Sequence, residues 1–219
     1  MIHRRLAVSD FALKQKENVL TGSGELSLDE GWLGIATEPF LLNVSASIKD
    51  LGALAGLLGP PFDEMSGRMS LSGSINGQAG KLGGFMSLEA SEMGFRKHPL
   101  DSGGMELTFS NREAQVTRCE FWIGDDFLRA TGSVQISAPY NYSGEIRARM
   151  QDIARYRDFV PAISVPAIRA GAAQIRWQGD GTASAHSGAF NVSLDDFVSE
   201  HTPSGLTGRF AGTYSPENV

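Results

Sequence analysis

Apolar and polar residues alternate along most of the chain with a period of two. That is the spacing of a strand with one face on a core and the other in water. Met69, Leu71 and Ile75 fall on one side, and Arg68, Ser70, Ser72 and Ser74 on the other. Met105, Leu107 and Phe109 alternate with Glu106, Thr108 and Ser110. Leu128, Ala130, Val134 and Ile136 alternate with Arg129, Thr131, Ser133 and Gln135. Tyr142, Ile146, Ala148 and Met150 alternate with Glu145, Arg147 and Arg149. The pattern predicts about a dozen strands, with turns expected at Asn76-Gly77, Gly83-Gly84, Ser102-Gly103-Gly104 and Asp180-Gly181. Between Gly84 and Met150 the connections are short, so consecutive strands are expected to pair as a meander.

Two stretches break the alternation. After Asp50, apolar residues at Leu51, Leu54, Leu57 and Leu58 have helical spacing, with Asp50 as N-cap and Gly59-Pro60 as a stop. After Asp152, the apolar residues Ile153, Tyr156, Phe159 and Val160 have the same spacing. The two aspartates lie 102 residues apart, and other features recur at similar offsets. Gly67 corresponds to Gly171, Gly77 to Gly181 and Gly84 to Gly188, each 104 residues on, and the strand around Gly24 echoes that around Gly132 at 108. The chain therefore divides into residues 1–50, the end of a preceding repeat; 51–152, a complete repeat of a short helix and antiparallel strands; and 153–219, the start of a following one.

Composition narrows the function. The 219 residues carry 19 Lys+Arg against 25 Asp+Glu, a formal charge of −6 that argues against a nucleic-acid partner. Glycine, 26 residues, makes up about 12 % of the chain against a usual roughly 7 %, without the period of three of collagen. The best candidate for a membrane span, the uncharged stretch from Leu51 to Phe62, is too short to span a bilayer and contains Pro60-Pro61. The N-terminal residues lack the apolar run of a signal peptide and read like the middle of a strand, so the chain is expected to be a piece of a longer protein.

Candidate chemistry is sparse. His3, His98, His186 and His201 are scattered, and Cys119 is the single cysteine, so no metal site or cofactor is expected. No Gly-x-Ser-x-Gly elbow precedes a helix, and Gly80-Lys81 is followed by Leu82 rather than Ser or Thr. Asp125-Asp126 reads as a solvated hairpin turn, and Cys119 as a small buried hydrophobe. Phe121, Trp122, Phe127, Tyr140 and Tyr142 place large rings on neighbouring strands, where cross-strand packing is the expected role. No catalytic residues are expected, and the chain is read as non-enzymatic.

A strand, an Asp-led short helix and then a glycine-flanked strand occur as Ser47-Ile-Lys-Asp50-Leu51 leading to Gly67–Gly77. They recur as Arg149-Met-Gln-Asp152-Ile153 leading to Gly171–Gly181. In this repeated pattern the chain resembles the C-terminal region of the AsmA and TamB superfamily, nearer its AsmA-like branch, from about Leu6 to Thr213. The resemblance implies a mainly β fold, a curled antiparallel meander forming an open groove with an apolar interior. It implies a periplasmic protein, anchored in the inner membrane through a segment outside this chain, that shields acyl chains in phospholipid transport and outer-membrane biogenesis. The implied partners are phospholipid and components of the two membranes. Groove-lining candidates are Met69, Leu71, Ile75, Met86, Leu88, Met105, Leu107, Phe109, Leu128, Val134, Ile136 and Ile146. In a closed sheet the same residues would be ordinary core. The alternative reading is a structural or adhesive β-sandwich module of a bacterial surface protein that binds protein or glycan.

Overall fold

The computed structural model describes residues 5–27, 38–54, 64–78, 81–95, 98–159, 168–182 and 184–216. They form twelve strands: β1 (Arg5–Gln15), β2 (Asn18–Ser27), β3 (Phe40–Ile48), β4 (Met65–Gln78), β5 (Lys81–Phe95), β6 (His98–Asn111), β7 (Glu113–Ile123), β8 (Asp126–Gln135), β9 (Tyr142–Met150), β10 (Ile168–Gly181), β11 (His186–Ser199) and β12 (Leu206–Tyr214). All belong to one antiparallel sheet whose spatial order is the order of the chain. The sheet is open and uncurled: β1 and β12 are its edges and do not pair with each other.

This corrects the expectation of a curl. Packing between elements is concentrated on strands that are neighbours in the sheet, so no distant strand folds back to make a trough wall or a second layer. Nor do the described residues form the two facing sheets of a sandwich.

No described residue lies in an α-helix. The stretches with helical spacing form 3-10 turns, Gly52–Leu54 and Ile153–Phe159. The capping expected at Asp50 is present, its Oδ1 accepting the Ala53 N–H at 3.3 Å, and Asp152 Oδ1 accepts the Ala154 N–H at 3.0 Å. Residues 55–63 and 160–167, where the rest of each stretch falls, lie outside the described residues.

The turn assignments also change. Gly77, Gly83, Gly84, Gly103, Gly104 and Gly181 lie inside strands. A side chain at Gly103 would collide with the Phe121 ring at 2.6 Å, and one at Gly77 with Phe40. At Gly103 and Gly77 a neighbouring strand's aromatic ring occupies the space that a Cβ would need, so these glycines mark a seat in the sheet rather than its end.

Other glycines serve backbone geometry, among them a matched pair. Gly67 (φ +117°) and Gly171 (φ +126°) sit at register shifts of β4 against β5 and β10 against β11. A Cβ on Gly67 would lie 2.7 Å from Met93 Cα, and one on Gly171 2.7 Å from Phe197 Cα. Opposite them, Glu92 and Asp196 also have positive φ, at 52° and 46°. The two bulges are thus alike in both strands, at an offset of 104 residues.

The buried core is small and local. Leu51, 1 % exposed, folds over the end of the sheet and packs with Ala46, Ile48, Ala90 and Met93. Leu51 N–H bonds Gly67 O at 3.1 Å, which pins the connection between β3 and β4 to the bulge.

Candidate functional site

Residues paired across an antiparallel ladder point to the same face, so the register gives the composition of each face directly. One row crosses all twelve strands: Leu13, Leu20, Ala46, Leu71, Leu88, Met105, Cys119, Ala130, Ile146, Trp177, Phe190 and Gly212, each paired with the next. It contains no charged residue. A parallel row runs through Val44, Gly73, Met86, Leu107, Val116 and Gly132.

The structure brings nearly all the groove-lining candidates onto this face. Leu71, Leu88, Met105 and Ile146 stand in the first row, and Met86 and Leu107 in the second. Met69 pairs with Ala90 one row to one side, while Ile75 and Phe109 both pair with Gly84 on the other. Val134 pairs with Tyr142, and Leu128 with Phe121 and Ala148. Ile136 differs: it follows β8 in a bend, its N–H bonded to Arg112 O at 2.8 Å.

The candidate list left out the part of the face on β1 to β3, on β7 and on β10 to β12. Glycines flank Trp177 and Phe210 along their strands, at Gly179, Gly208 and Gly212, whereas Phe190 shares its side with Val192 and Leu194 and was legible as an apolar position. The aromatic group also divides. Phe121 and Tyr142 belong to the apolar face, whereas Trp122 and Phe127 pair on the polar face with ring centroids 5.5 Å apart. Arg129 lies over both rings, 4.8 Å from Trp122 and 5.0 Å from Phe127. Tyr140 stands exposed in the connection between β8 and β9.

Little protein covers the apolar face. Leu128, Val134, Ile146 and Phe190 are each more than a third exposed. The chain has an accessible surface of 14078 Å², whereas a compact globule of 23.5 kDa has about 9,800 Å². Extra surface on this scale is what a single sheet without a second layer leaves in solvent.

Two features interrupt the apolar character. Near the β9–β10 connection, Tyr156 donates its hydroxyl to Asp126 Oδ2 at 2.6 Å, and Asp126 Oδ1 accepts the Gln151 N–H at 2.7 Å. Asp126 is 4 % exposed, so it is a buried anchor and not the solvated turn expected from sequence; the turn itself is Gly124-Asp125. Burial and the carboxylate hold the Tyr156 phenol above its ordinary range. Beside this pair, Leu100, Phe121, Leu128, Ala148 and Met150 line a cavity of about 250 Å³. At the opposite end of the strands, the Trp177 indole N–H donates to Tyr214 Oη at 3.0 Å, and His186 meets the Tyr214 ring edge-on at 5.4 Å.

The polar face carries the charge. Arg118 bridges Glu89, Glu106 and Glu120, and Glu145 lies between Arg147 and Arg176 at 2.6 and 2.9 Å. These arginines hold the Glu145 carboxyl below its usual range. Among the described residues, no three His, Cys, Asp or Glu side chains gather as a metal site would require. No described helix is long and apolar enough to cross a membrane. The chain matches no family model, no curated protein and no solved structure.

Proposed function

We propose that this chain is a lipid-shielding β segment of an AsmA-like periplasmic protein, non-enzymatic, acting in phospholipid transport and outer-membrane biogenesis. The observation that carries the reading is the uncharged row from Leu13 to Gly212, which crosses all twelve strands and whose members Leu13, Ile146 and Phe190 are each more than a third exposed. An apolar sheet face must be covered. Acyl chains satisfy that need without specific polar partners, since each methylene moved from water onto such a face gains about 0.8 kcal/mol. The surface is long in the direction of strand order, so a chain laid on it can pass from one strand's side chains to the next without meeting a charge.

The repeat reading supports the same view. The bulges at Gly67 and Gly171, the aspartate-capped 3-10 turns and the order of six strands recur at offsets of 102 to 108 residues. In this reading the open sheet, with its apolar face, lengthens by adding units. In the full-length protein, further units and the two membranes supply the lipid and its exit.

The test is lipid analysis of the purified chain. Native mass spectrometry and solvent extraction are expected to find co-purified phospholipid, and Phe190→Glu or Leu88→Glu is expected to reduce it several-fold. Absence of bound lipid after expression in a Gram-negative periplasm, with no uptake of a fluorescent phospholipid from vesicles, overturns the proposal.

A further inference from the structure

We infer that the polar face of β8 to β12 holds a binding site for a compact phosphate-bearing anion, centred on Arg147, Arg149 and Arg176. The argument starts from charge on the ladder. Arg129, Arg147 and Arg176 stand directly opposite one another on β8, β9 and β10. Arg149 lies in the next row, paired with Phe127 and Gln174, and that row continues through Ser193 to Arg209. Five arginines thus share two adjacent rows, in a chain whose formal charge is −6. Like charges set opposite one another on one face of a sheet cost stability.

The sheet itself does not ask for these arginines. The positions 102 to 108 residues earlier hold Thr21, Ser45 and Ser72, which stand opposite one another on β2, β3 and β4 in the same way. Ser47 and Ser70 pair there as Arg149 and Gln174 pair on β9 and β10. Small hydroxyl residues therefore satisfy the same strand pairing.

The positive charge is only partly answered. Glu145 lies between Arg147 and Arg176, and Glu120, 3.6 Å from Arg129, already holds Arg118. No described carboxylate pairs with Arg149, or with Arg209, whose Nε donates to Asn191 Oδ1 at 3.0 Å. β9 and β10 lie inside the sheet with both neighbours in place, so a further strand at either edge leaves the strands beside Arg149 and Arg176 unchanged.

Arg147, Arg149, Arg176 and Arg209, with Gln174 and Ser193, line an open depression of about 470 Å³. No lysine follows Lys97 in the chain, so the patch is built from arginine alone. A guanidinium fork meets two oxygens of one phosphate at once, which an ammonium does not. Gln174 and Ser193 add uncharged donors. The negative charge of the whole chain disfavours a long polyanion, whereas a local arginine cluster suits a compact one. A soluble phosphate and the headgroup of an anionic phospholipid at a bilayer surface share this chemistry. The site lies on the face opposite the uncharged row, so it does not depend on what covers that row.

The test titrates the whole chain with inorganic pyrophosphate at low ionic strength, read by calorimetry, and measures its flotation with phosphatidylglycerol and with phosphatidylcholine vesicles. Arg149→Gln/Arg176→Gln is expected to weaken pyrophosphate binding at least ten-fold. Arg5→Gln/Arg68→Gln, which removes the same charge elsewhere, is expected to change it less than two-fold. Leu88→Glu, on the apolar face, is expected to leave it unchanged, which separates this site from the lipid-shielding face. Binding of pyrophosphate marks a site open to soluble phosphate. Preference for phosphatidylglycerol over phosphatidylcholine vesicles without pyrophosphate binding, lost in Arg149→Gln/Arg176→Gln, marks a headgroup site. Equal losses in the two double variants, or neither pyrophosphate binding nor a preference for phosphatidylglycerol, overturns the inference.

Discussion

Asn18 and Asp126, 108 residues apart, hold the same position: each opens a strand, is 4 % exposed, and accepts the backbone N–H of the residue that leaves the neighbouring strand. Asn18 Oδ1 accepts Lys49 N–H at 2.8 Å and Asp126 Oδ1 accepts Gln151 N–H at 2.7 Å. They differ in what the second atom meets. Asn18 Nδ2 donates to Asp50 O at 2.9 Å, whereas Asp126 Oδ2 accepts from Tyr156. An amide is needed where the partner is a carbonyl, and a carboxylate where the partner is a hydroxyl.

Removing either anchor leaves buried donors without acceptors. Asn18→Ala is expected to lower stability by about 1–3 kcal/mol, read as a shifted urea midpoint. Asn18→Asp is expected to destabilise as well, since it sets a carboxylate against Asp50 O. Full stability in Asn18→Asp would show that the amide's donation is dispensable.

The Tyr156 phenol gives a pH signature. Its folded pKa lies above the unfolded value of about 10. The stability it contributes is therefore complete below pH 10 and is lost as the pH rises further, when the unfolded chain ionises first. The native protein is expected to lose more stability between pH 9.5 and 11.5 than Tyr156→Phe, measured by denaturant unfolding at each pH. Parallel losses in the two proteins would contradict the assignment.

Alanine at Gly171 must adopt a positive φ and approach Phe197 Cα at 2.7 Å. Gly171→Ala and Gly67→Ala are each expected to cost about 1–3 kcal/mol, seen in thermal unfolding. A neutral effect at either site would mean that the bulge relaxes without the glycine.

Cys119 reports on the apolar face from its middle row. Burial, with Glu120 adding to it, raises the thiol above its ordinary range, so less thiolate is present at a given pH. Alkylation at pH 8 is expected to be several-fold slower than for a free thiol, slower again with phospholipid bound, and restored in urea. A rate unchanged by lipid would place the acyl chains elsewhere.

The alternation of apolar and polar residues was enough to give the strands, their antiparallel pairing and the face on which Leu71, Leu88, Met105 and Ile146 lie. These follow from the two-residue period of the backbone, which is a local property. The same locality explains the errors. A glycine reads as a turn until the ring that occupies its space is seen, as Phe121 does at Gly103 and Phe40 at Gly77. Asp126 reads as a solvated turn residue because the atoms that bury it, Tyr156 Oη and Gln151 N, lie 25 to 30 residues away.

The sequence alone determined that this protein is a meander of strands with one apolar face, because period-two patterning needs only neighbours along the chain. Only the tertiary structure decided that the sheet stays open and uncurled, with Leu128, Val134, Ile146 and Phe190 of its apolar face each more than a third exposed. Closure depends on whether distant strands meet, and that is set by twist and packing summed over the whole sheet.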